Sequence, residues 1–294
     1  MFKNVAWPAV GLLVLLSLIW GTSFILMKQG LKVFSPDELG ALRITAASLV
    51  FLPVALFHIK KLHTRHVAKL WFSGMIGIFI PAFLFALAQT RLTSSVTGIL
   101  NSLTPLITLL VGVFFYQQRF RGGSLLGIVL GLVGTVLLVM TKSGNGVNGF
   151  NAFGLLVLVA CILYSFNLNF IKYKIADLKA LTITSISLFL IFPFAAVYLF
   201  VFSGFLGKVD HSPEFWTAFG FVVLLGMMST SLATIIFNVM VKMASPLFAS
   251  SVTYLIPIVA VAWGLWDGEE LLAGHILGMV AIIGGVYLAN YKRG

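Results

Sequence analysis

The chain has 294 residues, 60% of them hydrophobic and only 9% charged, with a formal net charge of +11. A soluble domain carries about 25% charged residues, so the composition excludes an ordinary soluble domain. The single cysteine, Cys161, excludes an intramolecular disulfide and a thiol metal site.

The nonpolar excess runs the whole length of the chain. A bilayer core takes roughly 20 apolar residues per helix. On that rule ten spans fall near 7–28, 37–57, 70–89, 95–116, 122–140, 152–172, 182–203, 215–239, 246–266 and 271–290. The expectation is an all-α integral membrane protein of ten transmembrane helices, with no room left for a soluble domain.

Span one is about twice the length of a signal-peptide core and lacks a small-x-small cleavage site, so it reads as a retained helix. It contains "SLIWGTSF", which puts Trp20 far from either interface, where it stacks on a substrate or packs. Lys28 ends this span, and Arg43 lies about 9 Å inside span two at 1.5 Å per residue. Long cations near helix ends ordinarily snorkel to the interface; the alternative is capture of a substrate carboxylate at the outer mouth. In the loop "HIKKLHTRHVAK", His63 and His66 are three apart, too few ligands for a metal site.

Span four, in "SSVTGILNSLTPLITLLVGVFFYQQ", holds Asn101, Ser102, Thr104 and Pro105 where a lipid-facing helix would hold leucine. Span nine, in "SSVTYLIPIVAVAWGLWDGEE", repeats the arrangement with Thr253, Tyr254 and Pro257. A proline frees the carbonyl four residues earlier, and such a carbonyl is tolerated at membrane depth only where it lines a wet cavity or meets protein partners. Pro105 and Pro257 therefore read as kinks, functional or architectural. Asn101, Ser102, Thr104, Thr253 and Tyr254 read either as a cavity wall or as interhelical polar glue.

Span five carries the small-residue seam "GIVLGLVG" (127–134), and span ten carries Gly278, Gly284 and Gly285, so both read as scaffold. The linker "KSGNGVNGFNA" (142–152) joins the halves. Span six contains "YSFNLNF", where Tyr164 and Asn167 share a helix face. In span eight, Thr230, Thr234 and Asn238 are spaced by four and form one polar stripe, which lines a cavity or bonds back to its own helix.

With ten spans, thirteen of the nineteen basic residues share a side with both termini, five lie on the other side, and Arg43 lies inside a span. This is the positive-inside asymmetry. It puts both termini in the cytoplasm, and it reads the net charge as a topology signal rather than a nucleic-acid site.

Shifting the numbering by 152 superimposes Gly74-Met75 on Gly226-Met227, Phe85 on Phe237, Pro105 on Pro257 and Gly112 on Gly264. A shift of 151 then superimposes Leu126-Gly127 on Leu277-Gly278. Five spans per half is odd, so the second copy enters from the opposite side. Residues 1–142 and 143–294 thus read as two inverted five-helix repeats, an architecture of transporters whose substrate site lies near the midplane.

These features resemble the EamA family of the drug/metabolite transporter superfamily: "WGTSF" in span one, a proline in spans four and nine, and "DGEELLAGHILGMVAIIGGVYLAN" after the second. The resemblance implies export of small organic metabolites such as amino acids across the plasma membrane. Family members usually carry Glu at the end of span four, where this chain has Gln118; Glu270 keeps the acid in the second half.

All eight acids sit in loops or at helix ends, which argues against aspartyl intramembrane proteolysis, and no HExxH is present. An enzyme scaffolded on the bundle and a channel are the alternatives, but the charge rings of a channel are missing. The expected substrate site comprises Trp20, Asn101, Tyr164, Asn167, Asn238, Thr253 and Tyr254, with Pro105 and Pro257 as kinks. Its neutral polar groups suit a zwitterion that must be released again. No cofactor, metal or nucleic acid is expected; the partners are a small-molecule substrate and the lipid bilayer.

Overall fold

The computed structural model describes residues 7–60, 62–118, 123–141, 152–209, 212–243, 249 and 251–290, all helix and short connections. The linker 142–151, the start of span nine and the terminal basic residues lie outside these, so expectations placed there have no structural counterpart.

Seven stretches among the described residues are long and apolar enough to cross a membrane: Gly11–Gly30, Pro36–Ile59, Thr64–Ala88, Ser94–Tyr116, Phe153–Lys174, Ala180–Phe202 and Pro213–Met243. The first half contributes α1 (Trp7–Gly30), α2 (Pro36–Ile59), α3 (Val67–Gly74), α4 (Ile80–Ala88), α5 (Ser94–Asn101), α6 (Thr104–Tyr116) and α7 (Gly123–Met140). The second contributes α8 (Phe153–Lys174), α9 (Ala180–Val197), α10 (Pro213–Leu224), α11 (Ala233–Met243), α12 (Ile256–Trp266) and α13 (Ala273–Asn290). The three remaining expected spans, at α7, α12 and α13, are also helical but shorter over the described residues.

Local chemistry sets the helix starts. Ser35 opens α2 with a capping box, accepting from the Glu38 backbone while Glu38 accepts from that of Ser35, and Pro36 takes the first turn. Thr93 and Ser212 cap α5 and α10 in the same way, by accepting from backbone N–H groups.

Two helices expected to be continuous are instead broken. α5 ends at Asn101 and α6 restarts at Thr104, with Pro105 in its first turn. A short 3-10 turn, Ser251–Tyr254, precedes α12, with Pro257 in its first turn. Neither proline kinks a running helix. Each begins one, where its missing N–H costs nothing.

Three spans contain π-helical segments: Tyr198–Phe202 follows α9, and the other two lie at positions related by the repeat, Met75–Phe79 between α3 and α4 and Leu225–Leu232 between α10 and α11. Such segments widen the helix by one residue per turn and concentrate at functional sites.

The packing is reciprocal between halves. α1 packs on α12 as α8 packs on α6, and α1 packs on α11 as α8 packs on α4. α2 lies against α9, and α7 against α13. Glycine makes the closest approaches. Gly74 sits on Ser187 and Ile191 of α9, and Gly226 on the Arg43 and Ala47 backbone of α2. Gly134 meets the Gly278 carbonyl and Gly285 meets Gly127 and Gly131, which is the small-residue seam expected for spans five and ten. Outward faces carry exposed large apolar residues such as Phe114, Phe115, Val136, Leu137 and Trp266, as a lipid-facing surface should.

Candidate functional site

A cavity of about 110 Å³ lies between the halves at mid-length of the helices. On the same measure a water needs about 10–15 Å³, so the space suits a group of a few to about ten non-hydrogen atoms. α1, α2, the Met75–Phe79 segment, α4, α5 and α6 wall it from the first half; α8, the Leu225–Leu232 segment, α11 and the 251–254 turn wall it from the second. Among the described residues none of α7 or α13 lines it.

Six of the seven expected substrate residues meet there: Trp20, Asn101, Tyr164, Asn167, Asn238 and Thr253. Trp20 donates to the Ser229 carbonyl at 2.9 Å and packs edge-on against Phe237, so its ring is fixed from the opposite half. Tyr164 stacks on Phe85 with centroids 5.9 Å apart. Asn238 donates to Thr184 at 2.8 Å. Asn167 accepts from Ser73 at 2.7 Å, and Gly77 in the first π-helical segment lies so close that a Cβ there would collide with the Asn167 amide.

The breaks at the prolines shape this wall. The Asn101 carbonyl, freed by Pro105, accepts from the Thr104 hydroxyl at 2.8 Å. It is therefore satisfied within the chain, not by a wet cavity. Thr104 lines the cavity beside Asn101, whereas Ser102 is fully buried and donates to Ile99 at 2.6 Å. Of the two readings offered for Ser102, cavity wall or packing, it takes the second: it is turned away from the cavity and bonds within the chain. Tyr254 also falls outside the cavity lining and packs partly buried against the main core, one residue beyond the turn that places Thr253. Thr230, Thr234 and Asn238 all line the cavity, and Thr234 also bonds back to the Thr230 carbonyl.

Arg43 corrects a second expectation. It is 8% exposed, it lines the cavity, and its Nε donates to the Thr230 hydroxyl at 2.6 Å. It does not snorkel: α2 packs on α4 and on the Leu225–Leu232 segment, and Arg43 is buried in the cavity wall. The wall is therefore not neutral. The signal was in the sequence, because Arg43 is the one charge within a span and an intramembrane charge is functional by default.

Lys28 neither snorkels nor faces the cavity. It pairs with Asp267 at 2.7 Å and Glu269 at 2.8 Å in the turn between α12 and α13. The Glu269 carboxylate also accepts from the backbone N–H groups of Ser94 and Ser95 at 2.9 and 3.0 Å and from the Ser95 hydroxyl at 2.7 Å. It thus sits on the positive end of α5. Burial pushes its pKa up, but the Lys28 ammonium, the Ser95 hydroxyl and the two N–H groups outweigh this and hold it below the ordinary value.

The counterpart of Gln118 is therefore Glu269, not Glu270. Gln117 and Gly268 each adopt positive φ, 54° and 81°, and hook the following residue back, Gln118 N–H to Gly112 and Glu269 N–H to Gly264. Gln118 then donates to Asn169 and Tyr173 of α8, both at 3.1 Å. Each half thus sends one side chain across to the other. Glu270 is exposed. The hooks differ in length by one residue, which displaced the sequence alignment by one.

The profile of the EamA-like transporter family matches residues 7–140 and again 152–291. An uncharacterized transporter of Archaeoglobus fulgidus is 22% identical over 280 residues, covering 93% of this chain and 95% of that one. The uncharacterized inner membrane transporter YedA of Escherichia coli K12 is 25% identical over 274 residues, covering 90% of this chain and 85% of its own. A solved crystal structure superimposes with a TM-score of 0.67 at 20% identity, covering 97% of both chains, and so shares the fold.

Proposed function

Because the chain belongs to the EamA-like transporter family, matched once in each half, we propose that it carries small organic metabolites, in the size class of amino acids, across the plasma membrane by alternating access, in the direction of export. The observation that supports this reading best is the polar cavity walled by both halves at mid-length of the helices. In this reading ten helices cross the membrane as two inverted repeats, residues 1–142 and 143–294, and both termini are cytoplasmic, as the distribution of basic residues favours. Trp20, Asn101, Tyr164, Asn167, Asn238 and Thr253 contact the substrate, and the helix breaks at Pro105 and Pro257 let the walls rearrange.

Asn101 offers both donors and an acceptor, and its Oδ1 is engaged only weakly, by the Thr104 hydroxyl at 3.4 Å and the Cys161 thiol at 3.8 Å. Asn101→Ala should lower initial uptake into proteoliposomes about tenfold, equivalent to ~1.4 kcal/mol, with expression and monodispersity kept. A screen of metabolites that finds no saturable uptake above empty liposomes would refute the transport reading.

A further inference from the structure

We propose that the cavity selects organic monoanions, small carboxylates with an uncharged body, and that Arg43 is the residue that reads the charge. The inference rests on the transport reading and narrows it from metabolites of amino-acid size to one charge class.

Charge balance carries it. Arg43 is more than nine-tenths buried, and its one hydrogen bond to a described residue uses Nε, leaving the two terminal nitrogens of the guanidinium for the cavity. Among the described residues no carboxylate lies within ion-pair distance of it. Glu38 is paired with Lys208, Asp177 with Arg65 and His66, and Asp267 and Glu269 with Lys28. Among the described residues the cavity lining contains no Asp or Glu. A guanidinium cannot shed its proton at neutral pH, and leaving a buried charge without a partner costs several kcal/mol. The lining therefore carries a net positive charge that a monoanion would neutralise.

The rest of the wall describes the body of that anion. Trp20, Phe24, Phe85, Tyr164 and Phe237 offer aromatic surface, and Asn101 a neutral hydrogen-bonding group. Among the described residues no anionic group lines the cavity to meet the ammonium of a zwitterion. A planar guanidinium fork matches a carboxylate in two parallel hydrogen bonds, and Thr230 holds the fork in orientation through Nε. A second positive group on the ligand would have to sit near Arg43 within a cavity of about 110 Å³, where like charges repel.

The test is calorimetric titration of the purified full-length protein with propionate, benzoate and phenylacetate, each against its uncharged amide, and with phenylalanine as the zwitterion. At least one carboxylate should bind at least tenfold more tightly than its amide and than phenylalanine. Arg43→Gln should abolish that preference; Arg43→Lys should keep part of it. The comparison of carboxylate with amide in the unaltered protein stands even where Arg43→Gln does not fold. No carboxylate preferred over its amide, or a preference that survives Arg43→Gln, would overturn the proposal. Tight binding of phenylalanine or an amide, weakened by Asn101→Ala and indifferent to Arg43, would overturn the charge selection and leave the transport reading in place.

Discussion

At Gly77 the absence of one carbon decides where Asn167 can sit. The π-helical segment brings its backbone against the amide, and Ser73, a turn earlier, donates to the Asn167 oxygen. Gly77→Ala should push the amide off Ser73 and cost about 1–3 kcal/mol, the usual range for overpacking. The double variant Gly77→Ala with Asn167→Ser should recover part of the loss, since neighbouring substitutions that share one space do not add. Thermal unfolding of the four proteins in detergent measures this; strict additivity would show that the contact is not what limits the site. Most of the polar wall was legible in the sequence because polar side chains at membrane depth need a reason. Arg43 was harder: its distance from the start of span two matches a snorkelling cation, and only packing shows that α2 turns it toward Thr230. Tyr254 was misplaced because adjacent residues in a 3-10 turn point in different directions.

At the scale of elements, Glu269 ties the turn after α12 to α1 and to the start of α5. Its folded-state pKa lies below the ordinary value of 4.5, so the ionised form contributes stability above that value and the contribution is lost as pH falls below it. The melting temperature should be insensitive to this group near neutral pH and should fall below about pH 4.5. Glu269→Gln should destabilise at pH 7 by about 1–3 kcal/mol, the worth of hydrogen bonds to a charged group, and should flatten the acid limb. An equal acid slope in both proteins would show that other carboxylates set it. The two prolines announced an irregularity in the chain, and the irregularity is there, as helix breaks. Whether a proline kinks a helix or starts a new one depends on the residues before it, and propensity does not fix that. The π-helical segments left no mark in hydrophobic periodicity, because one extra residue in a turn disappears in a stretch that is apolar on all sides.

For the whole molecule, the repeat was legible because proline and glycine positions recur in register, and the reciprocal packing of the two halves follows the same correspondence. What the register could not carry was the one-residue difference between the hooks at Gln118 and Glu269. Among the described residues the cavity lining contains no carboxylate, and intramembrane carboxylates are the usual proton carriers. An imposed pH gradient should therefore leave initial uptake unchanged, with the substrate's own gradient driving flux; uphill accumulation that tracks the pH gradient would assign a coupling role to an acid outside the lining.

The central claim, that one cavity between two halves opens in turn to each face, can be tested without knowing the substrate. Thr234 lines the cavity. In a Cys161→Ala background, Thr234→Cys would be exposed to a membrane-impermeant thiol reagent in right-side-out and in inside-out vesicles, with Val136→Cys on the outward face of α7 as the unreactive control. The account predicts that Thr234→Cys is labelled from both faces and the control from neither. Labelling from one face only, or from neither, would contradict alternating access at this site.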